Sequence, residues 1–223
     1  MVTIQKCYEF VKDRLNHLST NTNQNITGTS FINAMREATY NWLDTRLKAE
    51  DHSKTRQREL EILLRPLQIN GQKKTKYYSY PLPEDFYHFS SGSVNAITKT
   101  CSADLVLHPI EIGNKELYYK DANWVPSVEW EETFYTIENR ELKVFYKDFK
   151  LGKINVTYYK KPVDVNIETG FKDIDGNLMV NVHPEFDDSS VYEILELTVS
   201  TLASDIGDSG RYQTALGKAQ SFN

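Results

Sequence analysis

Cysteine is close to absent: the 223 residues contain two, Cys7 and Cys101. They sit in different regions with no short spacing between them, which excludes a disulfide framework and a cysteine-based zinc site. Cys7 falls on an apolar helical stripe and reads as a small buried hydrophobe. Long apolar runs are also missing. No stretch approaches the ~20 residues a membrane-spanning helix needs. The first residues mix polar and apolar types without the apolar run of a secretory signal. The expectation is therefore no membrane association and a cytoplasm-like compartment, or a particle assembled there. Chemistry-bearing motifs are lacking too. There is no phosphate-binding loop, no Gly-x-Gly-x-x-Gly, no His-Glu-x-x-His and no Gly-x-Ser-x-Gly. The five histidines, His17, His52, His88, His108 and His183, are scattered, none at a metal-ligand spacing from a cysteine or acid. Asp173-Ile-Asp175-Gly-Asn177 resembles the front of a calcium loop, but Leu178 and Pro184 stand where that loop needs glycine and glutamate, so a hairpin turn is the better reading. Glu129, Glu131 and Glu132 surround Trp130, yet no second carboxylate cluster answers them as sugar hydrolysis would require. The residues lead us to expect no catalytic group, no cofactor and no metal: not an enzyme.

What is present is a globular composition, 39% hydrophobic and 26% charged, long enough for one large domain or two small ones. A net charge of −5 argues against a nucleic-acid-binding surface covering the whole protein. The charge is unevenly spread. Residues 46–76 hold nine basic and four acidic side chains, whereas residues 168–208 hold ten acids and one lysine. Opposite patches suit head-to-tail contact between copies in a ring; two solvated faces without a partner are the other reading. The 14 tyrosines and 10 phenylalanines fit interfaces or simple sheet propensity equally.

Helical periodicity marks both ends of the chain. Ile4, Cys7, Tyr8, Val11, Leu15 and Leu18 form a stripe over residues 3–18. A polar loop at 19–25 follows. Thr29 or Ser30 is expected to cap a second helix running to about Glu50, with Phe31, Met35, Ala38, Trp42 and Leu43 inward. A further helix is expected over 54–65 and stopped by Pro66, with the charged surface of 46–61 solvated. The best-marked helix comes late: Val191, Ile194, Leu195, Val199, Leu202 and Ile206 recur at helical spacing after His183-Pro184-Glu185-Phe186-Asp187-Asp188. Gly207 and Gly210 follow it, and 211–221 reads as a short terminal helix. Between these ends the period shortens. Strands are expected at 94–100, 104–107, 116–119, 132–138, 141–146 and 153–160, with Asn139-Arg140 as a tight hairpin turn and a further hairpin over 171–180. Successive short strands without intervening helices imply an antiparallel sandwich or small barrel. The expected fold is therefore α+β: a helical bundle from the N- and C-terminal segments, 1–66 and 183–223, with an inserted antiparallel β-module over 67–182. In this arrangement the late helix packs on residues 4–18 and 31–47.

Three passages in this order resemble the head–tail adaptor, or connector ring, proteins of short-tailed bacteriophages, including crAss-like phages. They are Tyr80-Pro-Leu-Pro-Glu-Asp-Phe86, then Phe134 to Val144 with Val156-Thr-Tyr-Tyr-Lys-Lys-Pro162, then Pro184-Glu-Phe186 with Ile194 to Val199. The resemblance covers nearly the whole chain as a pattern of parts. It implies a structural virion protein, without catalytic residues, that forms a homo-oligomeric ring, usually of twelve copies. That ring joins the portal to the tail or second-ring proteins in the virion neck, is assembled in the host bacterial cytoplasm, and leaves a channel for DNA during genome ejection. Phe186, Asp187, Asp188, Tyr192, Arg211 and Tyr212 are the candidate interface residues. A channel lined by the acids of 168–208 would not grip phosphates. The alternative is a virion-associated β-sandwich binding module for a glycan or host receptor, with Trp124, Trp130 and Tyr135 as an aromatic platform.

Overall fold

The computed structural model describes residues 2–17, 26–48, 58–99, 101–114, 125–167, 180–205 and Gly217. The protein is α+β and divides into two compact units, Met1–Ile62 with Pro162–Asn223, and Leu63–Lys161. The helical unit thus comes from both ends of the chain, and a β unit is inserted between them. The insertion begins and ends earlier than the expected 67 and 182, because strand pairing starts at Leu64 and Pro162–Val182 groups with the helices.

In the helical unit, α1 spans Ile4–His17, α2 spans Gly28–Lys48 and α3 spans Asp188–Asp205. α3 packs on both α1 and α2, as the periodicity requires. Ile4, Cys7, Val11 and Leu15 are buried on α1, and Phe31, Met35, Ala38, Trp42 and Leu43 on α2. Burial pushes the Cys7 thiol up to about 11, in keeping with a packing role. α3 departs from a one-face stripe. Ser190, Glu196, Thr198 and Ser200 are buried along with its aliphatic residues, so it is the central helix rather than a half-exposed one. Two of these polar groups have partners: the Thr198 hydroxyl donates to the Ile194 carbonyl at 2.8 Å, and Glu196 pairs with Arg14 of α1 at 3.3 Å, whereas the Ser190 hydroxyl is buried without a hydrogen-bond partner among the described residues.

The helix starts are capped by residues other than those expected. Thr27, not Thr29 or Ser30, caps α2: its Oγ1 accepts the Ser30 N–H at 3.1 Å. α1 is capped by His183, from the far end of the chain. The His183 Nδ1 accepts the Ile4 N–H at 3.1 Å, which satisfies an amide that has no partner inside its own helix. The helix expected over 54–65 is helical at residues 58–60, tightens to a 3₁₀ turn at Glu61–Leu63 and then becomes a strand. Pro66 does not stop it; it lies inside that strand, where its missing N–H is tolerated because β1 stands at the end of the strand order.

The β unit contains β1 Leu64–Asn70, β2 Gln72–Lys73, β3 Tyr77–Pro81, β4 Phe86–Ile97, β5 Ser102–Pro109, β6 Glu132–Glu138, β7 Glu141–Phe145 and β8 Lys150–Lys160. They form one sheet in the order β1-β8-β4-β5-β6-β7-β3-β2. β1 and β2, at opposite ends of that order, are separated in sequence by Gly71 alone. One bent segment therefore pairs with β8 through its first half and with β3 through its second, which curls the sheet into a closed, barrel-like module. Tyr80 crosses the interior: its hydroxyl donates to the Gly152 carbonyl of β8 at 2.9 Å. Around it Val94, Leu105, Leu142, Val144 and Ile154 make the core. The sheet is mixed rather than antiparallel throughout, because β5 and β6 run parallel after the long connection between them. The Asn139-Arg140 hairpin forms as expected, with φ of 52° and 61°, the left-handed pair of a type I′ turn. The expected strand 116–119, the hairpin over 171–180 except Val180, and the terminal helix 211–221 except Gly217 lie outside the described residues.

Candidate functional site

The segment leading into α3 brings together four of the six candidate interface residues, and the structure gives them different jobs. Phe186 is buried and meets Trp42 edge-on, ring centres 5.3 Å apart at 65°. It is a core residue and is not available to a partner. Asp187 is the N-cap of α3. Its carboxylate accepts the Ser190 N–H at 3.2 Å and the Ser189 hydroxyl. Burial pushes this carboxyl up, but the Ser189 and Ser190 hydrogen bonds more than offset it and hold the group below its ordinary 3.8. A depressed carboxylate stabilises the fold fully above the unfolded value and loses that contribution as pH falls through the folded one. Asp187→Ala is therefore expected to cost about 0.5–2 kcal/mol at neutral pH. The gap to the parent should close as urea titrations are taken below pH 3.8; a gap unchanged in strong acid would remove the capping carboxylate from the account. Asp188 is exposed, and Arg211 and Tyr212 lie outside the described residues.

Tyr192 is the candidate whose surface is open, 46% exposed. It stands edge-on to Phe10 of α1, 5.5 Å between centres. The Arg14 guanidinium covers the other aromatic contact, 5.2 Å from the Phe10 ring, while pairing with Glu196. Aromatic rings and arginine held rigidly at a surface are the residue types that carry most interface energy. Periodicity could not find Phe10 and Arg14, because both lie off the apolar stripe of α1.

Beneath α3 lies an ionic cluster that the linear charge count misread. Arg46, counted in the basic patch and expected on a solvated face, is buried. Its guanidinium bonds Glu193, pairs with Glu59 at 3.3 Å and lies 5.4 Å over the Trp42 ring. The Trp42 indole N–H donates to the same Glu193 oxygen at 2.7 Å. The acidic stretch is correspondingly less free than its sequence charge. Glu193 and Glu196 answer arginines, Asp187 is a cap, and Glu185 accepts the Val163 N–H at 2.8 Å. Asp187, Asp188 and Asp205 are exposed among its described acids.

On the β unit, Glu129, Glu131 and Glu132 are exposed on a tight turn at whose end Glu131 adopts φ 54°. His108 approaches Glu132 at 3.8 Å, both half-open to solvent. The expected aromatic platform does not assemble: Trp130 is 76% exposed, Tyr135 is buried against Phe89, and Trp124 lies outside the described residues. Burial pushes the Tyr135 hydroxyl up to about 12. A shallow depression of about 600 Å³ over β1, β8 and β4 is lined by Gln68, Ser91, Ser93, Asn155 and Thr157 and has no ionisable side chain in its lining. Among the described residues no group of three His, Cys, Asp or Glu is placed to hold a metal, and no helix is long and apolar enough to cross a membrane. No protein-family model matches the chain, and no curated protein matches it.

Proposed function

We propose that the chain is a non-enzymatic structural subunit of a homo-oligomeric ring, and more particularly a head–tail adaptor that joins portal to tail in a short-tailed phage virion and leaves a channel for DNA. The observation that carries this reading is the discontinuous helical unit. Two chain ends make one helical body around a central α3, and a closed β-module is inserted between them. That is the order of parts on which the adaptor resemblance rests. The open Tyr192–Phe10–Arg14 surface supplies the rigid aromatic and arginine anchors that a subunit contact needs. Asp187, Asp188 and Asp205 are the exposed described acids of 168–208; Asp187 also caps α3, so a test of an acidic channel belongs on Asp188 and Asp205.

The deciding measurement is native mass, of the chain alone and with portal particles. A twelve-copy ring would weigh about 310 kDa, twelve times 25.8 kDa. Tyr192→Glu is expected to shift mass from ring to monomer by at least tenfold in population while leaving helical circular dichroism unchanged, since about 1.4 kcal/mol lost per contact already moves an equilibrium tenfold. A chain that stays monomeric with portal present, and binds glycans instead, would overturn the adaptor reading in favour of a receptor-binding module.

A further inference from the structure

The barrel gathers lysines that are dispersed in sequence onto one of its ends. The chain enters the barrel at Leu64, paired with Tyr159, and leaves it at Lys160; the Asn139-Arg140 turn and Pro83 lie at this same end. The opposite end is built from three turns and from the segment entering β6, which carries Glu129, Trp130 and Glu131. The β2–β3 turn carries Lys73, Lys74 and Lys76. The β7–β8 turn and the start of β8 carry Lys147, Lys150 and Lys153. The β4–β5 turn carries Lys99. Pairing fixes them side by side. Ile97 stands opposite Lys150, and Asn70 opposite Lys153. The Tyr146 hydroxyl donates to the Lys74 and Thr75 carbonyls at 3.0 and 3.2 Å, and the Lys73 ammonium lies 5.3 Å from the Tyr146 ring. All seven lysines are exposed; Asp148 is the one acid among these three turns, and exposed Glu129 and Glu131 stand beside them at the entry to β6.

The composition of this rim selects its partner. The arc of these three turns holds no arginine, and Ile97 is its one large exposed hydrophobe among the described residues; exposed Trp130 stands at the same end but outside the arc, at the entry to β6. Protein interfaces are depleted in lysine and centred on apolar and aromatic side chains. An ammonium is a point charge on a flexible stem, which meets a phosphate without demanding one orientation. From β5 through β4, β8, β1/β2 and β3 to β7 the rim crosses five strand spacings, an arc of roughly 24 Å. Duplex DNA carries on the order of one phosphate charge per 1.7 Å of axis, so several phosphates face the chord of this curved arc. We propose that this lysine rim binds the sugar–phosphate backbone of duplex DNA without reading its sequence. The inference deepens the adaptor reading by one partner and rests on it only for its place in the particle, because a focused local field suffices for binding even on a chain of net charge −5.

The test is fluorescence anisotropy of the full chain with two duplexes of unrelated sequence between 50 and 200 mM salt. Both duplexes are expected to bind equally, with affinity falling linearly in log–log form as salt rises. Each lysine contact contributes a slope of about −0.9, so Lys73→Gln/Lys74→Gln/Lys147→Gln/Lys150→Gln should flatten the slope by about 3.6 and weaken binding at least tenfold. Lys161→Gln, at the opposite end of the barrel, should change neither. Circular dichroism of each variant checks the fold. Absence of binding at 50 mM salt, or a quadruple variant that binds like the parent, overturns the proposal. If the quadruple variant instead loses self-association by native mass and no duplex is bound, the rim belongs to a second copy of this chain. Ring mass and duplex binding are separate readouts, so failure of either reading is visible without the other.

Discussion

Arg46→Met is expected to destabilise the helical unit by about 3–5 kcal/mol, the usual result of removing one partner from a buried ion pair. The side chain is 5% exposed, and its two carboxylate partners, Glu193 and Glu59, are 16% and 18% exposed. Methionine keeps much of the stem's packing on Trp42 but leaves two carboxylates facing one another without their cation. The cost is therefore dominated by stranded charge and not by lost volume. Restoring neutrality should recover part of it: Arg46→Met/Glu193→Gln retains an oxygen to accept the Trp42 indole N–H and is expected to regain about 1–2 kcal/mol over the single variant. Denaturant unfolding followed by helical circular dichroism reads both values. A loss below about 1 kcal/mol for the single variant would mean a solvated cluster, as at an ordinary surface pair.

The second large effect concerns the bend that closes the barrel. Tyr80→Ala should cost about 3–5 kcal/mol, because it empties the centre of the β core and removes the hydroxyl that reaches Gly152. Gly71→Ala should cost about 1–3 kcal/mol for the opposite reason, overpacking. A Cβ on Gly71 would lie 2.5 Å from two atoms of the Tyr80 ring, and a fully buried ring has nowhere to retreat. The two residues are therefore coupled. In the Tyr80→Ala background the added methyl group meets a cavity, and Gly71→Ala should become close to neutral or favourable. A double-mutant cycle measures this directly, with an expected coupling of about 1–3 kcal/mol. Additive effects would show that the bend does not depend on the ring.

The helices and the later strands were legible because burial imposes a period on them. The stripe of α1, the inward face of α2, the aliphatic positions of α3 and strand β6 at Glu132–Glu138 follow directly from residue spacing. The Asn139-Arg140 turn was legible from its position between two strand patterns, and the packing of α3 on α1 and α2 from the need of an amphipathic helix for an apolar partner. The strands of Leu64–Pro81 were not legible. Pro66, Gly71 and the polar run 70–76 interrupt any alternation, and the segment becomes strand only because β8 and β3 offer it ladders on either side of the bend. The parallel β5–β6 pair was hidden likewise, since register between distant strands is a property of the closed sheet.

The candidate surface divides along the same line. Composition and periodicity alone established a globular α+β chain with helices at both ends, few cysteines and no recognisable catalytic motif. Which charges are free was decided only in three dimensions. Counting along the chain placed Arg46 in a basic patch and Glu193 and Glu196 in an acidic one, yet packing buries Arg46 against Glu59 and Glu193 and sets Glu196 against Arg14. Conversely, Lys73, Lys99 and Lys150 are far apart in sequence and are brought to one end of the barrel through strand pairing. The physical reason is the same in both cases. Hydrophobic periodicity is a local record of burial, whereas electrostatic partnership depends on distance and solvent access, which chain order does not encode until the strands and helices have met.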